Sequence, residues 1–135
     1  MERLPSLGIE LHVPAFEPVI KFYSTLGFGI VRRDERYLVM QRGETILCFN
    51  EGNDRVYEQS YFKNFSKDTP RGYAVEIIIP VGDVEGFYNI VKDRITIVQP
   101  LELKHWGQKD FRVVDPFGFY LRITQEFDWT KHLDQ

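Results

Sequence analysis

Cysteine occurs once in this chain, as Cys48, so no disulfide within it can hold the fold together. Histidine occurs three times, and no Cys/His spacing matches a structural zinc site. Neither sign of charge dominates: 17 Lys and Arg against 20 Asp and Glu give a net charge of −3, which offers no field for a polyphosphate backbone. Nucleic acid is therefore not expected as a partner. No apolar run approaches the roughly 18 residues of a membrane span, and the first residues show no basic stretch followed by an apolar one. The expectation is a soluble cytoplasmic protein. No glycine-rich phosphate loop occurs, and nothing beside Cys48 in the sequence suggests an activated thiolate, so its expected role is that of a small buried hydrophobe. Aromatic residues, in contrast, are plentiful at 15%, with eleven Phe and seven Tyr in a chain that is 43% hydrophobic. A chain of 135 residues with that composition suits one domain, 1–135, that buries about two thirds of its unfolded surface.

Residues Gly8 to Val13 alternate Ile9, Leu11 and Val13 against Glu10 and His12, which predicts a strand buried on one face and stopped by Pro14. Helical spacing follows from Phe16, with Val19, Ile20, Phe22, Tyr23 and Leu26 on one side. Pro18 fits its first turn and Gly27 its end. Three strands are then expected at Gly29–Arg33, Tyr37–Arg42 and Thr45–Asn50. After a polar connection, residues 51–72, a strand is expected over Tyr73–Pro80, then a helix capped by Asp83 and running to about Asp93. Strands at Ile95–Val98, Lys109–Val114 and Phe119–Thr124 complete the pattern, with Asp115-Pro116-Phe117-Gly118 as the last turn.

The two halves, about 8–50 and 73–125, repeat one order, and Phe22-Tyr23 has its counterpart in Phe87-Tyr88. Each half alone would expose a broad apolar face. The fold class that follows is α+β: two paired βαβββ modules forming a curled mixed sheet with a concave cleft.

The run Phe22-Tyr23-Ser24-Thr25-Leu26-Gly27-Phe28, then Ile30 to Asp34 and Gln41-Arg42-Gly43, resembles the vicinal oxygen chelate superfamily. Trp106-Gly107 and Phe111-Arg112-Val113-Val114-Asp115-Pro116-Phe117-Gly118 are similar to its bleomycin-resistance proteins. That resemblance implies a homodimer that binds bleomycin-type glycopeptides in interfacial clefts and sequesters them unaltered. Enzymes of the superfamily instead chelate a divalent metal there through four side chains. Their ligand positions fall here on Gly8, on or beside Cys48, on Glu76 and on Arg122. Glycine has no side chain to ligate with, and a guanidinium carries positive charge and no lone pair. One thiol and one carboxylate do not suit Mg, Mn, Fe or Ni sites. No metal, cofactor or catalytic residue is therefore expected. The alternative is a metal-dependent lyase, isomerase, dioxygenase or thiol transferase with a displaced site built from His12, Glu76 and Glu10.

The same resemblance assigns Tyr37, Phe49 and Trp106 to the ligand groove, where flat rings stack on indole. Tyr37 and Phe49 suit a core equally well, and Trp106 suits a rim position covering core. Tyr61, Phe62 and Phe65 either pack or add walls to the groove. Glu10, His12, Glu76 and Arg122 are candidate polar residues of the cleft. Arg122 opposite Glu76 suits an internal ion pair, or else a bidentate hold on a ligand carboxylate or phosphate. Asp34, Glu51, Asp54 and Glu58 are acids available to a cationic ligand, while His105 and His132 are expected to be solvated.

Overall fold

The structure is a computed structural model that describes residue 4, residues 7–51 and residues 58–131. Asp54, Tyr57 and His132 lie outside the described residues. The chain divides into two compact units, one ending at Thr69 and the other beginning at Pro70.

The first unit runs β1 (Glu10–Val13), α1 (Glu17–Thr25), β2 (Gly29–Arg33), β3 (Tyr37–Arg42) and β4 (Thr45–Glu51). Its sheet has the order β1-β4-β3-β2, parallel between β1 and β4 and antiparallel elsewhere. Pro18 sits in the first turn of α1, where a missing N–H costs nothing. Gly27 ends the helix with φ 92°, which lets the Phe28 N–H reach the Tyr23 carbonyl at 2.9 Å.

The second unit repeats the plan with β5 (Glu76–Val81), α2 (Val84–Val91), β6 (Ile97–Leu103), β7 (Lys109–Val114) and β8 (Tyr120–Gln125), in the sheet order β5-β8-β7-β6. Both units are thus βαβββ modules, and the molecule is α+β with two four-stranded mixed sheets. Asp83 caps α2 by accepting the Gly86 N–H at 3.0 Å. Bounds of β1, β4 and β8 shift by one or two residues from expectation, and those of two strands by more. β5 begins at Glu76 rather than Tyr73, because Gly72 (φ 70°) and Ala74 (φ 62°) turn the chain instead of extending it. β6 runs on to Leu103 through Pro100, since it is the outer strand of its sheet and tolerates a residue with no donor.

Strand alternation builds a core in each unit. Leu11, Val13, Leu38, Met40, Leu47 and Phe49 share one face of the first sheet with Val19 and Tyr23 of α1, all buried. The Tyr23 and Phe49 rings lie 5.1 Å apart. In the second unit Ile77, Ile79, Val81, Phe111, Val113, Leu121 and Ile123 do the same, and Tyr88 of α2 meets Phe111 edge-on at 5.0 Å. Phe87 and Tyr88 are only half-buried, whereas Phe22 and Tyr23 are buried.

Asp83→Ala is expected to destabilise the protein by about 1 kcal/mol through loss of the cap. Phe49→Ala is expected to cost about 3 to 5 kcal/mol through the cavity it leaves. Urea unfolding followed by circular dichroism checks both, and equal effects would refute the assignment of Phe49 to the core.

Candidate functional site

Each sheet has a second face that its helix does not cover, and the alternation that buries Leu47 and Phe49 points their neighbours there. On the first sheet this open face carries Glu10, His12, Tyr37 and Cys48. Register places Glu10 beside Cys48 and sets His12 and Tyr37 on either side of Asn50. The Tyr37 hydroxyl donates to Glu10 Oε1 at 2.7 Å, and His12 Nε2 lies 3.5 Å from Glu10 Oε2. The Arg32 guanidinium carbon stands 5.1 Å from the Tyr37 ring centroid, a cation–π contact. Burial, reinforced by hydrogen bonds to Glu10 and Cys48, raises the Tyr37 pKa well above the usual phenol value. Cys48 is thus half-buried beside a phenol rather than packed in the core. Phe62, in a short 3-10 turn over Phe62–Asn64, sets its ring edge-on to His12 at 5.5 Å. Tyr61 packs on Phe62 and Phe65, yet Tyr61 and Phe65 remain exposed.

The open face of the second sheet carries a network of charges. Glu76 Oε1 lies 3.3 Å from Arg112 Nε and 3.7 Å from Arg122 Nε. The expected ion pair between Glu76 and Arg122 is present within one sheet, and Arg112 shares the carboxylate. Asp110, fully buried, lies 3.9 Å from Arg112 Nε and 3.9 Å from Lys104 Nζ, and burial pushes its carboxyl above the usual range. Lys104 also pairs with Glu102. Trp106 sits in the tight loop between β6 and β7, closed by a Gly107 N–H to Lys104 carbonyl bond of 2.9 Å. Its half-buried ring lies 5.9 Å from the Arg122 guanidinium carbon. Glu76 and Tyr120 also line an open groove of about 470 Å³ that begins at Pro70. Gly72 in its wall admits no Cβ, which would fall 2.8 Å from Phe119 Cδ1.

Of the three aromatic residues assigned to a groove, Tyr37 and Trp106 lie on open faces. Phe49 does not: it is fully buried against Tyr23 on the helix side, because in Ile46-Leu47-Cys48-Phe49 the register turns Leu47 and Phe49 inward. Arg112, Asp110 and Lys104 were missed as site residues. For Asp110 and Arg112 the signal lay in Asp110-Phe111-Arg112-Val113, where charged and apolar residues alternate.

The four positions that would carry a chelated metal do not fit one. Gly8 offers no donor, Cys48 bonds Tyr37, and Glu76 is engaged by two guanidiniums, one of them the fourth position itself. Among the described residues no group of three His, Cys, Asp or Glu side chains converges as ligands. Nor, among them, is any helix long and apolar enough to cross a membrane.

No family model matches the chain. A bleomycin resistance protein of Klebsiella pneumoniae is 29% identical over 120 residues, covering 82% of this chain and 83% of the relative. A solved bleomycin-binding protein complexed with bleomycin is 26% identical, with a TM-score of 0.62 over 92% of this chain and all (100%) of the other. A glyoxalase/bleomycin resistance protein/dioxygenase family enzyme from Burkholderia phytofirmans PsJN is similar in fold, with a TM-score of 0.71 at 16% identity over 88% of this chain and 96% of the other.

The Tyr37 phenol gives a pH test. Its raised pKa means that its bonds stabilise the fold in full below the ordinary value of 10.0 and that this contribution is lost as pH rises through the folded-state value. The stability difference between wild type and Tyr37→Phe, measured by urea unfolding from roughly pH 8 to pH 11, should be constant at first and then narrow. A difference that stays constant throughout would refute the phenol–carboxylate bond.

Proposed function

We propose that this chain, which has the fold of the glyoxalase/bleomycin resistance/dioxygenase superfamily and is similar to bleomycin resistance proteins, binds and sequesters bleomycin-type glycopeptide antibiotics or a similar planar small molecule without altering it. The observation that carries this reading is the Arg112–Glu76–Arg122 cluster. Where an enzyme of the superfamily needs ligands for a divalent cation, this chain places two permanent cations around its one carboxylate. Such a site neither attracts nor polarises a substrate through a metal, so binding without turnover is the activity left to it. Trp106 supplies a ring for stacking on the open face of the second sheet, and Tyr37 one on the first.

The protein acts in this reading as a homodimer in the cytoplasm, with the ligand held in a cleft between subunits. Each sheet retains a polar open face with half-buried aromatic residues, and surfaces of that mixture suit ligand or subunit contact. The net charge of −3 favours a cationic ligand over a nucleic acid.

Titration of metal-free bleomycin while following tryptophan fluorescence tests the proposal. The expected result is saturation at about one ligand per subunit, weakened about tenfold by Trp106→Ala, equivalent to about 1.4 kcal/mol, and unaffected by Trp129→Ala. Metal content is assayed on the same sample. No saturation, together with a stoichiometric divalent metal in the purified protein, would overturn sequestration in favour of metal-dependent catalysis.

A further inference from the structure

Arg112 of β7 and Arg122 of β8 are direct register partners, so two guanidiniums stand side by side on one face of a sheet. Like charges in facing positions are unfavourable unless an anion lies between them. Glu76 supplies one, through a single oxygen at 3.3 and 3.7 Å. Both contacts run through Nε, on the inner side of each guanidinium, where Nε is buried without a hydrogen-bond partner. Asp110 compensates weakly, since it stands 3.9 Å from Arg112 Nε and as far from Lys104 Nζ, and burial favours its neutral form. Lys104 is taken by Glu102. Each guanidinium carries four more N–H donors on its outer nitrogens. Tyr120 engages Arg112, and the two side chains keep 19% and 18% of their surface open to solvent. Trp106 stands beside Arg122 on the same face, and Glu76 and Tyr120, which touch the pair, also line the open groove.

We propose that Arg112 and Arg122 form a fork for one oxyanion, a carboxylate or phosphate group of the ligand, whose flat ring lies against Trp106. Paired guanidiniums present donors in the planar geometry that such oxyanions accept, and an adjacent indole adds a stacking surface for the ring that bears the acid. The inference rests on the reading of this face as ligand-binding, but not on the ligand being a glycopeptide; it narrows the planar molecules to those with an acidic group.

The test uses the full chain with Trp129→Phe, so that Trp106 alone emits, titrated with inorganic phosphate and with benzoate at constant ionic strength in chloride. A saturable response to either anion is expected, weakened about tenfold or more by Arg112→Gln and by Arg122→Gln and unchanged by Arg36→Gln at an exposed turn of the other unit. A stronger response to benzoate identifies a ring carboxylate and a stronger response to phosphate a phosphate group; both support the fork. Should the glutamine variants fail to fold, Arg122→Lys keeps the charge without the fork and is expected to weaken binding as well. In the unsubstituted protein the arginine Nε resonances of Arg112 and Arg122 should shift together on saturation with the anion. Absence of a saturable response, or a response that survives in both glutamine variants, overturns the fork. Bleomycin titrated on the same sample separates the two readings: its saturation without any anion response overturns the fork alone, and an anion response without bleomycin binding overturns only the glycopeptide as ligand.

Discussion

A four-stranded sheet with a single helix has two faces and one cover, and the two-residue period of each strand sorts every side chain to one or the other. In both units the covered face takes the aliphatic and aromatic residues, with Phe49 under Tyr23 and Phe111 under Tyr88. The open face receives the carboxylates, guanidiniums, an imidazole, a thiol and the ring of Tyr37, among half-buried aliphatics such as Val39 and Ile78, with Trp106 beside it on the second sheet. The chemistry available to the protein is set by this sorting, because a polar group that is half-buried on an open sheet must find a partner or a ligand.

The two open faces meet that requirement differently. On the first sheet one carboxylate, Glu10, is held by neutral or weakly basic partners, the Tyr37 phenol and the His12 imidazole. On the second sheet one accessible carboxylate, Glu76, serves two guanidiniums, and a buried acid, Asp110, lies too far away to bond either. The first face thus leans toward acid and the second toward base, although the modules share element order and sheet topology.

The same fold occurs in a solved bleomycin-binding protein and in a glyoxalase/bleomycin resistance protein/dioxygenase family enzyme. A fold of this kind does not fix function. An arginine at position 122 leaves the core undisturbed, because the pleat keeps it away from its buried neighbours Leu121 and Ile123.

The sequence by itself determined the features that depend on near neighbours along the chain. The βαβββ duplication, the helix ends at Pro18, Gly27 and Asp83, and the strands at Gly29–Arg33, Tyr37–Arg42 and Lys109–Val114 all follow from local alternation and turn chemistry. The unsuitability of Gly8 and Arg122 as metal ligands was equally legible, being a matter of residue type at positions given by resemblance. What only the tertiary structure decided was the face and the neighbours of each side chain. Ile46-Leu47-Cys48-Phe49 is apolar at both parities, so pairing of β4 with β1 and β3 was needed to send Phe49 inward and Cys48 toward Tyr37. Arg112 and Arg122 face each other across the β7–β8 hairpin, and Glu76, far away along the chain, reaches them only through the parallel pairing of β5 with β8. Pairings of this kind are non-local: no propensity encodes them, and only the closed sheet brings the two guanidiniums to one carboxylate.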